Sequence, residues 1–155
     1  MKRITSFEID HTVLEPGFYI SRKDGNITTY DLRTRKPNCG DYMDNVTMHT
    51  VEHMFATYIR NSEISENVVY FGPMGCQTGF YLLIDGIDDD KVFDLTRDIL
   101  IKIIEHNGPV FGASEIECGN YKTLELEKAK EECRKYAKVL NTFKRGDYTY
   151  GGNKQ

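Results

Sequence analysis

Val46-Thr47-Met48-His49-Thr50-Val51-Glu52-His53-Met54-Phe55-Ala56-Thr57-Tyr58-Ile59-Arg60-Asn61 carries two stripes on one period. Met48, Val51, Phe55 and Tyr58/Ile59 recur at three- and four-residue steps, which predicts a helix over 46–61 with an apolar face and Asp44 or Thr47 as its N-cap. Beside that face runs a polar line of His49, Glu52, His53, Ala56 and Arg60. Imidazoles at i and i+4 set their ring nitrogens on one side of a helix, the geometry of a bidentate metal clamp. Glu52 projects the same way and could move protons beside a metal. Arg60 lies about 10.5 Å farther along the axis, out of reach of the metal and suited to the anionic end of a ligand. The rival reading is a solvated face, but the chain has only 4 histidines, and chance seldom pairs two of them around a carboxylate.

Working outward from that helix, residues 17–33 read as a hairpin. Phe18 to Arg22 and Ile27 to Leu32 flank a turn at Asp24-Gly25. Asn67–Gly72 and Phe80–Ile84 read as two more strands, joined by a glycine-rich turn. Asp88-Asp89-Asp90 opens a second helix striped with Val92, Leu95, Ile99 and Ile103, and Asn107-Gly108-Pro109 ends it. Residues 110–119 read as extended or looped, and the element order counts a strand there. A third helix over about 123–141 buries Leu126, Ala129, Cys133, Tyr136/Ala137 and Leu140. Residues 144–155, rich in glycine, read as a loose tail. The pattern is α+β: one domain over 1–155, an antiparallel sheet with helices packed on one face, and a metal site on the first long helix.

The 155 residues, 39% apolar and 28% charged, suit one soluble domain that needs no disulfide framework. A net charge of −4, without a basic stripe, argues against nucleic acid as partner. No run reaches the roughly 18 apolar residues of a membrane span, and the N-terminus lacks a signal-peptide core. A cytoplasmic location follows as the expectation, so the 4 cysteines read as thiols, ligands or nucleophiles before bridges.

Two imidazoles need a third ligand. Cys118, before Gly119 and outside every apolar stripe, is the best candidate, whereas Cys133 belongs to a stripe and reads as core. A His₂Cys set suits zinc, iron(II) or cobalt and leaves one position open, as in catalytic sites. Cys76 sits among Pro73, Gly75 and Gly79, where inward-pointing backbone N–H groups would favour thiolate; a small buried hydrophobe is the alternative. Cys39 has no such setting and receives no role.

These residues resemble the S-ribosylhomocysteine lyase family, also called S-ribosylhomocysteinase or autoinducer-2 synthase. The matching segments are Ser6 to Thr12, Tyr30 to Arg33 with Lys36-Pro37-Asn38, His49 to Ala56, Gly72 to Tyr81, and Glu117 to Tyr121. They follow family order along nearly the whole chain. The resemblance implies a homodimer with two active sites at the subunit interface and iron(II), Fe2+, as cofactor, with zinc or cobalt as substitutes. It implies cleavage of S-ribosylhomocysteine to homocysteine and 4,5-dihydroxy-2,3-pentanedione, the autoinducer-2 precursor of quorum sensing. By position His49, His53 and Cys118 would be ligands, Glu52 and Cys76 acid/base residues, and Ser6, Phe7, His11, Arg33, Arg60 and Gly119 substrate contacts. The metal, Glu52 and Cys76 would come from one chain, and Ser6, His11 and Arg33 from the other. Tyr70 departs from the pattern, since relatives often carry Asp six residues before the cysteine.

Two rival classes remain at this stage. A zinc peptidase of the H-x-x-E-H type would use Glu52 to activate water, with Glu127 or Glu131 as third ligand. A binding module with a structural metal would need a fourth ligand such as Cys76.

Overall fold

The computed structural model describes residues 1–152. A short helix α1 (Thr5–Glu8) precedes a hairpin of β1 (Gly17–Asp24) and β2 (Ile27–Arg33). The long helix α2 (Asn45–Arg60) follows, then β3 (Val68–Pro73), β4 (Gly79–Asp85), α3 (Asp89–Ile104) and α4 (Leu126–Thr142). The four strands form an antiparallel sheet in the order β1-β2-β4-β3. The α+β reading and the antiparallel sheet hold.

Local chemistry accounts for the boundaries. Asp44 is the N-cap of α2, its carboxylate accepting from the Thr47 amide at 2.7 Å. Asp88 caps α3 in the same manner. Asp24 pairs with Ile27, so the hairpin loop is Gly25-Asn26, one residue later than expected. Gly25 takes φ +60° at the first loop position, the conformation a two-residue turn demands of glycine. No strand forms at 110–119, whose backbone instead makes turns. A single 3₁₀ turn at Tyr121–Thr123 precedes α4, which therefore starts after 123.

Alternation along β2 explains the two faces of the sheet. Tyr30 and Leu32 face α2, α3 and α4 and are buried with Phe18, Phe71, Phe80, Val51, Phe55, Ile99 and Cys133 in one apolar cluster. Asp31 and Arg33 point to the opposite face, where they are also buried, at 0% and 1% exposure. They form a bidentate ion pair, Nε to Oδ1 at 3.1 Å and Nη2 to Oδ2 at 2.7 Å. Gly17 and Gly79 are the register partners of Arg33 on either side.

The C-terminal segment is not loose as far as residue 152. The Ile20 amide donates to the Tyr148 carbonyl at 2.8 Å, so this segment lies along the free edge of β1. Tyr148 is buried against Phe18 and Phe93, and Tyr150 stacks on Tyr19 on the other face. The glycines that suggested mobility occupy turns, and two aromatic side chains supply the burial that holds the segment down. Residues 153–155 lie outside the described residues.

Candidate active site

Helix α2 presents His49 and His53 one turn apart, with ring centroids 4.6 Å apart and planes perpendicular. Cys118 meets them from the turn after residue 114, its sulfur 3.3 Å from His49 Nε2. The ligand atoms of these three side chains lie within 4.8 Å of one another, and among the described residues they are the one group of this kind able to hold an ion. Nitrogen at about 2.1 Å and sulfur at about 2.3 Å from a shared ion imply ligand separations of this order.

Each of these side chains is oriented from behind. His49 Nδ1–H donates to Thr123 Oγ1, itself a donor to the Asn120 carbonyl, and His53 Nδ1–H donates to the Phe111 carbonyl, both histidine bonds at 2.8 Å. Both Nε2 atoms are thereby left for the ion. The Asn120 amide points at the Cys118 sulfur at 3.4 Å. Thr123 and Phe111 were not singled out from sequence, because a carbonyl and a hydroxyl carry no pattern there.

Glu52 stays outside the ligand group and lines a cleft with His49, Met48, Pro73, Asn120 and Thr123. Glu127 and Glu131, the peptidase candidates, are absent from the ligand group, and so is the structural-site candidate Cys76. Gly119 follows Cys118 directly, with open space where a side chain would begin. Arg60 reaches back to the Val68 and Val69 carbonyls of β3 at 3.3 Å while its side chain stays exposed, so the sheet edge orients the guanidinium without enclosing it.

A second constellation surrounds Cys76, which is exposed at the tip of the β3–β4 hairpin. It shares a pocket with His11, Asn38, Tyr42, Gln77 and Thr78. Cys76 Sγ lies 3.0 Å from Thr78 Oγ1 and 3.9 Å from Arg33 Nη1, which also donates to Thr78 Oγ1 at 2.8 Å. Cys76 therefore groups with His11 and Arg33 of its own chain, whereas the expected division set it apart from them. The hairpin register decides this: Arg33 pairs with Gly79, three residues past the cysteine. Arg33 is too deeply buried to present a free guanidinium to a ligand, and its donors go to Asp31, Thr78 and Cys76.

His11 donates from Nδ1 to the Ile9 carbonyl at 2.8 Å, leaving Nε2 free. Ser6 is half-buried on α1, and Phe7 beside it is exposed. The non-glycine residues with left-handed backbone, Asn38 at φ 60° and Gln77 at φ 65°, both line the Cys76 pocket. Such strain concentrates where a site over-determines the backbone. Tyr70 sits at a bulge in β3 with its ring folded over Gly72. Burial pushes the Cys133 thiol well above its ordinary range, as its place in the core predicts.

The S-Ribosylhomocysteinase (LuxS) family model matches residues 4–145. The chain belongs to this family. An S-ribosylhomocysteine lyase of Borreliella burgdorferi is 48% identical over 97% of this chain and 99% of its own length. Enzymes of that name from Desulfotalea psychrophila and Clostridium acetobutylicum are 42% and 39% identical with the same coverage. The S-ribosylhomocysteinase match spans α1 through α4, so both constellations fall inside it.

Proposed function

We propose that this chain is a metal-dependent carbon–sulfur lyase that cleaves the thioether of S-ribosylhomocysteine to homocysteine and 4,5-dihydroxy-2,3-pentanedione. The observation that carries the reading is the His49–His53–Cys118 triplet, three ligands with one position left over, beside the carboxylate of Glu52. We assign iron(II) as the ion, with zinc or cobalt able to take its place. When bound, a divalent ion there supplies Lewis-acid polarisation of sugar oxygens.

Glu52 and Cys76 carry the protons. Each takes a proton from one sugar carbon and returns it to the neighbouring carbon, walking the carbonyl from C1 to C3 without net redox change. Removal of a proton from C4 then expels the homocysteine thiolate from C5 by β-elimination, and the thiolate takes up a proton. Ser6, Phe7, His11, Arg60 and Gly119 would contact the substrate, while Arg33 acts on Cys76.

The working unit is a homodimer in which the metal cluster and Glu52 of one chain face the Cys76 pocket of the other. Three observations support this. The two clefts share no lining residue. His11 and Cys76 line one of them, with Arg33 buried behind the cysteine. Phe7, Val13, Tyr42 and Tyr70 are large apolar side chains left 45–71% exposed, apolar surface that a partner chain would cover. The cytoplasm is the proposed location, in keeping with four free thiols; no helix of the described residues is long and apolar enough to cross a membrane.

The test is thiol release from S-ribosylhomocysteine by the purified protein. Glu52→Gln and Cys76→Ala should each keep the metal and lose roughly 10²–10⁴-fold in rate. Absence of thiol release by the metal-loaded parent would end this reading.

A further inference from the structure

We propose that Tyr150 is a positioning residue for Cys76, acting through a buried relay of Asp31, Arg33 and Thr78. The Tyr150 hydroxyl donates to Asp31 Oδ2 at 2.7 Å, the same oxygen that accepts from Arg33 Nη2 at 2.7 Å. Arg33 spends its other end on Thr78 Oγ1 and lies beside the Cys76 sulfur. Asp31, Arg33 and Thr78 are each no more than 1% exposed, so water cannot stand in for a missing partner.

The division of labour between the two C-terminal tyrosines isolates the hydroxyl. Tyr148 supplies packing, buried against Phe18 and Phe93. Tyr150 stacks on Tyr19 with centroids 4.9 Å apart, and only its oxygen enters the polar network. Burial, followed by the charge of Asp31, holds the Tyr150 phenol well above its ordinary pKa, so it remains a donor. Without that donor the Asp31 carboxylate is less neutralised. It then draws the guanidinium toward itself and opposes negative charge at Cys76. The other ionisable groups facing this thiol are His11 and Tyr42 in the pocket and Tyr81 on the sheet.

The proposal builds on the acid/base role given to Cys76, but its test does not depend on turnover. The native, metal-loaded protein is treated with iodoacetamide and the modification rate of each cysteine is read by mass spectrometry. Cys39, exposed and outside the network, reports general reactivity, and buried Cys133 reports the integrity of the fold. Tyr150→Phe, which keeps the stacked ring, should slow Cys76 alkylation by about threefold or more. Cys39 should be unchanged, Cys133 unmodified, and kcat lowered with KM held. Tyr19→Phe, whose hydroxyl bonds the Glu15 carbonyl instead, should leave the Cys76 rate at the parental value. An unaltered Cys76 rate in Tyr150→Phe overturns the proposal. So does exposure of Cys133, which would mean that the hydroxyl serves the fold. If the slowing appears in a protein whose parent releases no homocysteine, the relay stands and the lyase assignment fails.

Discussion

Gly112 packs against the imidazole of His53. It has φ +69°, and a Cβ placed on it would lie 3.1 Å from Nδ1, the atom that donates to the neighbouring Phe111 carbonyl. The turn that delivers this carbonyl to the ligand thus depends on the absence of a side chain at the next position.

Gly112→Ala should therefore weaken metal binding by about tenfold, the usual cost of disturbing the groups behind a ligand. Strain at positive φ adds to the displacement of the ring. Competition against a chelator measures the affinity, and parental affinity in the variant would show that His53 needs no such support.

His106 holds the other end of the same loop. Its Nδ1 accepts from the Tyr58 hydroxyl at 2.8 Å and its Nε2–H donates to the Pro109 carbonyl at 2.9 Å. The Phe111 ring packs on both Tyr58 and His106. His106→Ala should loosen Phe111 and cost roughly tenfold in metal affinity, although His106 is not a ligand. Retention of full affinity on chelator titration would disconnect this loop from the metal.

Mixed dimers read out how the site is divided. Glu52→Gln and Cys76→Ala homodimers carry a defect in every site. If the two groups come from opposite chains, each mixed dimer gathers both defects in one site and leaves the other intact. Refolding an equal mixture should restore about a quarter of parental activity, since half the dimers are mixed and each has one good site. Arg33→Ala with Cys76→Ala should not complement, because both lie in one constellation. Recovery in the second mixture and none in the first, with exchange verified by mass tags, would reverse the division proposed.

Asp44 links helix capping to acid stability. The Lys128 ammonium beside it and the Thr47 amide hold its carboxyl at about 2, against an ordinary 3.8. A depressed folded-state value means that the ionised form favours the fold. Its contribution is complete above pH 3.8 and drains away as pH falls toward 2. Asp44→Ala should lower stability at neutral pH by about 1 kcal/mol. The half-exposed ion pair adds little to that. Urea melts at pH 7 and pH 2.5 check the sign: the deficit of the variant should shrink at the lower pH.

Periodicity made α2, α3 and α4 legible, because each has one apolar stripe that the core then covers. The i, i+4 histidines were equally legible, since helix geometry alone brings their nitrogens together. Arg33 was harder to read. Its guanidinium is held by Asp31 of its own strand and by Thr78 from the β3–β4 turn, a partnership that pattern within β2 cannot reveal. The same applies to Cys76, whose companions are fixed by the pairing of β2 with β4. The C-terminal segment misled for a related reason: glycine content speaks of backbone freedom and is silent about where Tyr148 finds a core. Helix α1 is too short for its period to register.

Both borders of the sheet are blunted. At β1, the backbone around Tyr148 occupies the outer hydrogen-bonding positions near Ile20. At β3, Arg60 takes the Val68 and Val69 carbonyls, the ladder is bulged before Tyr70, and Pro73 offers no amide. A foreign strand thus finds no clean rail to extend at either border. Copies of this chain should meet through side chains and loops and not through a sheet continuing from one into the next. Contacts of that kind leave the strands of each copy to fold without waiting for a neighbour, and they offer amyloid-like stacking little purchase.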